Sequence, residues 1–297
     1  MSVTTSADMS RRDFLQASTI GGAGLLFASM SGAGPTAASA AASSQADSSY
    51  YGGFKMGIQS YSLRTYPVDV AIDKTRQLGL KYWESFDRHL PMTDDSARIA
   101  DYKKKLASAG IELLAYGVVR FGADAAASRK VFEFAKAVGL WSISADPEPA
   151  ALDNLDKLVE EFGIRIAIHN HGPRSRYDKI DDCLRAMKNH HRLIGACVDT
   201  GHYLRSSEDP VAAIKAFGAR TYGVHVKDVK TTPDGKKHFC VLGEGDLDLA
   251  GALTRLRRLD YQGCLALEYE ESETNPVPDI ERCLQTMRAT IAKLPNA

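Results

Sequence analysis

Four short stretches bring imidazoles and carboxylates to the ends of apolar runs. They are Ile168-His169-Asn170-His171, Val198-Asp199-Thr200-Gly201-His202, Val224-His225-Val226-Lys227-Asp228 and Ala266-Leu267-Glu268-Tyr269-Glu270. A fifth, Tyr82-Trp83-Glu84, ends the same way. A lone His or Glu in such a place usually bonds a neighbour or points to water. The set asks for more. Several acid and imidazole groups gathered at one place are costly to desolvate unless something compensates them, and a divalent cation uses all their lone pairs at once. A mixed His, Asp and Glu donor set suits Mn, Co, Zn, Fe or Ni, whereas Ca prefers oxygen alone.

Such residues meet only if the chain carries them to one end of one sheet. Eight strand candidates run through the chain: Lys55–Ser60, Lys81–Ser85, Ile111–Val118, Trp141–Ala145, Ile164–His169, Leu193–Asp199, Thr221–Val226 and Cys264–Tyr269. Amphipathic helical patterns lie between and after them, at Val68–Leu78, Ser96–Ala109, Ala125–Val138, Pro149–Phe162, Tyr177–Lys188, Pro210–Phe217, Leu247–Leu259 and Val277–Lys293. Gly79, Gly110 and Gly163 stand where a helix must turn into the next strand, a place for a left-handed cap. Alternating β and α units argue for a parallel sheet. Eight of them in about 250 residues predict an α/β fold, a single (β/α)8 TIM barrel whose active site forms at the strand C-terminal ends. A doubly wound open sheet is the alternative. It would want a glycine-rich phosphate turn, and Gly243-x-Gly245 does not continue as G-x-G-x-x-G.

The first forty residues are set apart as an address. Ser10-Arg11-Arg12-Asp13-Phe14-Leu15 precedes a modest apolar stretch, and Ala38-Ser39-Ala40 offers a small-x-small cleavage site. Together they predict a twin-arginine signal peptide at 1–40 and export to the periplasm of an already folded protein. Residues 41–53 read as a flexible linker and 54–297 as the barrel. Lys plus Arg is 37 and Asp plus Glu is 37, so the chain carries no net charge. That argues against a nucleic-acid partner and against an anionic membrane surface. Five cysteines, without C-x-x-C spacing, read as buried thiols rather than a disulfide framework. A homo-oligomer is compatible with all of this.

In order and spacing, these motifs, with Leu242-Gly243-Glu244-Gly245-Asp246, resemble the xylose-isomerase-like TIM-barrel superfamily of sugar isomerases and epimerases. The resemblance covers about Phe54 to Lys293 and implies a metal-dependent sugar enzyme. Carried over residue by residue, Asp199, His225 and Glu268 match the family's metal ligands, and His202 matches a histidine that contacts substrate. The fourth ligand in epimerases is a Glu at the end of strand five. His169 stands there instead. It retains a ligating nitrogen but removes one of the two carboxylates that shuttle protons in epimerases. Glu84, Lys227 or Glu270 would then supply the base. Lys227 shares the inward side of its strand with His225 and is read as either a structural ion pair or a catalytic group. His171 and Trp83 join His202 as substrate contacts, and Tyr61, Arg64, Phe86 and Trp141 lie near strand ends where an aromatic face could meet a sugar.

This chemistry is proton abstraction beside a carbonyl, with the metal stabilising the enolate and a positioned base taking the proton. Reprotonation gives an isomer or epimer, and loss of a leaving group gives β-elimination. The expected function is an isomerase or epimerase acting on a non-phosphorylated sugar or keto-sugar. The alternative is a lyase or hydratase acting on a 3-keto glycoside. Two other classes rank lower. A nuclease of the endonuclease IV branch would place more metal-binding histidines on strands two and three, where this chain has Glu84 and Val119-Arg120, with His89 in a Pro-containing loop. A periplasmic sugar-binding protein would need no metal.

Overall fold

The computed structural model describes residues 51–295. The first strands are β1 (Met56–Gln59), β2 (Tyr82–Ser85), β3 (Glu112–Phe121), β4 (Ser142–Pro147) and β5 (Arg165–His169). They are followed by β6 (Ile194–Asp199), β7 (Thr221–Val226), β8 (Asp228–Thr231), β9 (Lys237–Cys240) and β10 (Leu265–Leu267). Strands β1 to β7 and β10 close into a barrel in which all neighbours are parallel, with β10 completing the ring against β1. Because β1 pairs on both sides, the open-sheet alternative is excluded. The eight barrel strands are those the apolar runs predict. Strands β8 and β9 were not expected; they form an antiparallel hairpin outside the barrel.

The helices are α1 (Val68–Gln77), α2 (Ser96–Ser108), α3 (Ala125–Val138), α4 (Leu152–Phe162) and α5 (Ile180–Met187). Then come α6 (Thr200–Arg205), α7 (Pro210–Phe217), α8 (Leu249–Arg258) and α9 (Val277–Ile291). Asp95, Asp124, Asp209 and Asp248 each accept a first-turn backbone N–H, starting α2, α3, α7 and α8. Such caps contribute about 1 kcal/mol each. Gly79, Gly110 and Gly163 have φ of 74°, 69° and 69°, so they serve as the helix stops the sequence suggested.

The main core lies between barrel and helices, where Ile58, Ile143, Ile166, Ile168, Val198 and Leu265 pack outward against Leu155, Val159, Ile214, Leu256 and Leu284. The barrel interior is thinner. Leu114, Cys264 and Ala266 make a separate small cluster with Tyr82 against it. Strand alternation stacks Glu84, His169, Asp199, His225 and Glu268 above this floor. Four of the five cysteines are buried, and all five are free thiols.

The folded body reaches further toward the N-terminus than expected. Tyr51 is part of the main core and its hydroxyl accepts a hydrogen bond from Arg288 at 3.0 Å, so a linker cannot extend to residue 53. The twin-arginine segment and the rest of the expected linker lie outside the described residues. No helix among the described residues is long and apolar enough to cross a membrane.

The Leu242-Gly243-Glu244-Gly245-Asp246 segment has a structural use. The buried Asp228 carboxylate accepts backbone N–H bonds from Val229 (2.8 Å), Gly243 (2.8 Å), Gly245 (3.1 Å) and Leu247 (3.0 Å). The glycine N–H groups that a phosphate would need are thus already taken by an internal carboxylate. Asp228→Ala removes the acceptor for all four donors and is expected to cost about 2–4 kcal/mol. In a domain of this size that lowers Tm by roughly 5–15 °C. Asp228→Asn, which keeps one acceptor oxygen, should fall between. Thermal denaturation followed by circular dichroism checks both, and equal Tm for all three proteins would show that the loop does not depend on Asp228.

Candidate active site

The top of β6 organises the site. Asp199 Oδ1 accepts the His202 backbone N–H at 2.7 Å and so caps α6, which leaves Oδ2 turned into the barrel. Asn170 holds β5 to β6 by a reciprocal pair. Its Nδ2 donates to the Asp199 carbonyl at 3.0 Å, and its Oδ1 accepts the Asp199 N–H at 2.8 Å. Thr200 ties β6 to β7, its hydroxyl 2.6 Å from the Lys227 carbonyl and accepting the Lys227 N–H at 2.9 Å. Gly201 leaves room for the lysine stem, because a Cβ there would lie 2.7 Å from Lys227 Cγ. The Asp-Thr-Gly-His sequence thus aims one carboxylate oxygen and clears a path for one lysine.

Around that oxygen four donors converge: His169, Asp199, His225 and Glu268 offer ligand atoms that all lie within 4.8 Å of one another, and all four are buried. His169 Nε2 is 3.0 Å from His225 Nδ1 and 3.6 Å from Asp199 Oδ2. His225 Nδ1 is 3.1 Å from Glu268 Oε2 and 3.8 Å from Asp199 Oδ2. Ligands sharing one transition ion at about 2.0–2.2 Å stand at comparable separations. Asp199 Oδ2 is buried and accepts no well-aligned hydrogen bond; its neighbours are the His169 and His225 imidazoles and the Lys227 ammonium. The residues therefore fit a divalent ion: Asp199, His225 and Glu268 stand as the resemblance implies, with His169 where epimerases carry a glutamate.

Lys227 enters the same cluster. Its Nζ lies 3.1 Å from Asp199 Oδ2 and 2.8 Å from Glu268 Oε2, and it donates a short hydrogen bond to Glu270. Burial disfavours the ammonium, but Asp199, Glu268 and Glu270 outweigh burial and raise its pKa. Of the two readings of Lys227, the geometry is that of the ion pair, and its raised pKa keeps it from serving as a base near neutrality. Burial works against the charged form of Asp199 as well, yet Lys227, His202 and His169 hold its carboxyl well below the usual range. Glu268 is likewise lowered, burial being overcome by Lys227 and His225. Burial disfavours a charged His225, but Cys197, Glu84 and Glu268 outweigh it and raise its pKa, so four carboxylate side chains (Glu84, Asp199, Glu268 and Glu270) face two cationic ones, a surplus that a dication balances.

Two further expectations change. Glu84 is fully buried beneath the cluster, its Oε1 2.9 Å from His225 Nε2. It can hold the imidazole in place, as acceptors behind metal-binding histidines do, but it does not reach a substrate. Trp83 is also fully buried, and by strand alternation it faces the helices rather than the barrel interior. It is not a substrate contact. Trp141 packs against Arg165 and Tyr222 at the opposite, N-terminal end of the strands.

Above the cluster opens a cavity of about 680 Å³, within the range of small-molecule sites. Glu268, Glu270, His171 and His202 line it, with Tyr61 and Phe86 on another side. His171 and His202 have pKa values lowered to about 4 and about 3, chiefly by burial, so both are neutral imidazoles near pH 7. Arg205 Nη1 lies 3.2 Å from His202 Nδ1 and directs that nitrogen to accept. The sequence reading assigned no role to Asn170, Thr200, Gly201 or Phe239. Phe239, on the unexpected hairpin, covers Lys227 at 4.9 Å and His202 at 5.6 Å between ring centroids. The first three sit inside the quoted motifs, so their positions were marked although their uses were not. His89 is buried against Phe86, bonds the Tyr66 carbonyl at 3.1 Å and belongs to no metal-competent group among the described residues.

This fold has relatives among known proteins. The model of the xylose isomerase-like TIM barrel family matches residues 72–290. An inosose dehydratase from Lactiplantibacillus plantarum is 28% identical over 143 residues, which is 42% of this chain and 47% of that protein. The chain thus spans about half the length of the curated relatives it matches. An uncharacterized protein from Parabacteroides distasonis superimposes with a TM-score of 0.61 at 27% identity, over 78% of this chain and 97% of that one. A 3-keto-D-glucoside 4-epimerase from E. coli gives a TM-score of 0.64 at 15% identity, over 80% and 99%, a likeness of fold.

Proposed function

The chain belongs to the xylose isomerase-like TIM barrel family, and from that premise we propose that it is a sugar-modifying enzyme that enolises a non-phosphorylated keto-sugar and expels a β-substituent. The observation that carries this is that Glu270, though paired with Lys227, is the one of the three candidate bases that is accessible from the cavity. Of the three groups considered as base, Glu84 is sealed below His225 and Lys227 is a buried ammonium, whereas the Glu270 side chain is 24% exposed at the cavity wall. One base suits elimination, in which one proton leaves and is not returned to the opposite face. His169, Asp199, His225 and Glu268 would hold one divalent ion of Mn, Co, Zn, Fe or Ni. When bound, the ion supplies Lewis acidity to the substrate's carbonyl oxygen. Glu270 takes the proton from the adjacent carbon, the C–O bond to the β-substituent breaks as the carbon–carbon double bond forms, and the departing oxygen leaves with the proton that Glu270 has taken up; Lys227 keeps Asp199 and Glu268 ionised. The neutral His171 and His202 hydrogen-bond sugar hydroxyls, and Tyr61 offers an aromatic ring. The inosose dehydratase relative supports elimination.

Epimerisation is the second reading. It is favoured by the neutral imidazoles of His171 and His202 on the same cavity, which could return the proton from another side. Export fits either outcome: the twin-arginine motif points to the periplasm, and the Asp228-filled glycine loop leaves no phosphate cradle there. Zero net charge sides with a small neutral substrate rather than nucleic acid.

The test is a 3-keto glucoside incubated with enzyme in D2O and followed by NMR. Release of the substituent with formation of an unsaturated ketone is expected. Solvent deuterium at the carbon beside the carbonyl, with the substituent retained, would instead establish epimerisation. Neither event on any keto-sugar, with metal supplied, would overturn the enolising reading. Chelator should abolish the activity and one added equivalent of the ion should restore it.

A further inference from the structure

A second cavity of about 720 Å³ adjoins the first, and the two share Val118, Arg120 and His171 as a common wall. Neither Glu270 nor any of the four metal-competent residues reaches the second cavity. Its polar lining comes instead from Asp146, Glu148, Ser175 and Arg176 at the ends of β4 and the segment after β5. We propose that this cavity is a subsite for a second, uncharged sugar ring, so that the substrate is a keto-disaccharide or similar two-ring glycoside. The proposal rests on the enolising reading of the first cavity and names its substrate class.

The composition of the wall carries the argument. Arg176 Nη1 donates to Asp146 at 2.9 Å and Nη2 lies 3.9 Å from Glu148. Arg120 stands exposed on the shared wall with no carboxylate partner among the described residues. Two guanidinium and two carboxylate groups sum to zero, and they alternate donors with acceptors, as a ring of hydroxyls requires. The Ser175 hydroxyl oxygen is buried without a hydrogen-bond partner. A phosphate or uronate would face Asp146 and Glu148, and an apolar group would strip water from four charged side chains. Each cavity alone is in the size range of a small-molecule site, so a single sugar over Glu270 leaves the second unused.

The test compares kcat/KM on methyl, aryl and glucosyl 3-keto-glucosides. The glucosyl substrate should exceed the methyl one by about tenfold or more, the worth of one or two hydrogen bonds, and the aryl substrate should gain nothing. Arg176→Ala should erase that advantage through KM, and Ser175→Ala should reduce it. Equal turnover of methyl and glucosyl substrates, or a loss in Arg176→Ala that is the same for both, would overturn the subsite while the enolising reading stands. If no keto-sugar reacts, the subsite is still testable by calorimetry with unoxidised glucose and its disaccharides. Tighter binding of a disaccharide, lost in Arg176→Ala, supports it, and equal affinities sink it.

Discussion

Asp199→Asn is expected to release the bound divalent ion and to lower kcat/KM by about a thousandfold. An ion polarising a carbonyl contributes several kcal/mol to the transition state, and each 1.4 kcal/mol is about a factor of ten. The substitution is chosen because Asp199 has two separable duties. Oδ1 caps α6 at the His202 N–H, and Oδ2 faces His169, His225 and Lys227. Asparagine keeps an acceptor for the cap but turns an amide N–H₂ toward an ammonium and two imidazoles, where a ligand oxygen stood. Asp199→Ala loses the cap too, at about 1 kcal/mol of stability. Metal content by mass spectrometry should therefore fall from about one equivalent to near none in both variants, while only the alanine variant loses Tm beyond what metal loss explains. Full metal content in Asp199→Asn would remove Asp199 from the ligand set.

Most of what positions this site was legible as strand ends. Each barrel strand announces itself as an apolar run, because a strand buried on both faces has little room for anything else. The polar tails at His169, Asp199, His225 and Glu268 then had to share one end of the barrel. Period-two alternation already separated Trp83 from Glu84, since neighbours on a strand face opposite ways. Placing both in the site ignored that signal. The depth of Glu84 was not legible. It depends on the register of β2 against β1, where Glu84 pairs with Gln59, and on how the barrel closes. The β8–β9 hairpin was hidden by its charged, half-exposed strands, although Thr232-Pro233-Asp234-Gly235 is a turn sequence. Without the hairpin, Phe239 had no path to the site. The surroundings of Lys227 depend on three carboxylates from β6 and the segment after β10, a juxtaposition that only the closed barrel creates.

That juxtaposition gives the other large effect. Lys227→Met, measured in chelator, is expected to destabilise the barrel by about 3–5 kcal/mol, because it leaves buried carboxylates without their cation. Roughly 6–20 °C of Tm follows for a domain of this size. Added divalent ion should restore much of the loss in the variant and raise Tm less in the wild type, since the variant has the greater uncompensated charge. The pH response should also change sign. In the wild type Lys227 helps hold Asp199 and Glu268 below their ordinary range, so their contribution is present above the unfolded pKa values and fades as the pH falls through the folded ones. In metal-free Lys227→Met, burial and mutual repulsion raise those pKa values above the unfolded ones. Protonation then favours the fold, and Tm should rise as the pH is lowered from 7 toward 5. Differential scanning calorimetry across that range reads the slope. A variant as stable as the wild type in chelator, with the same acid dependence, would mean that Lys227 does not carry the charge balance of this cluster.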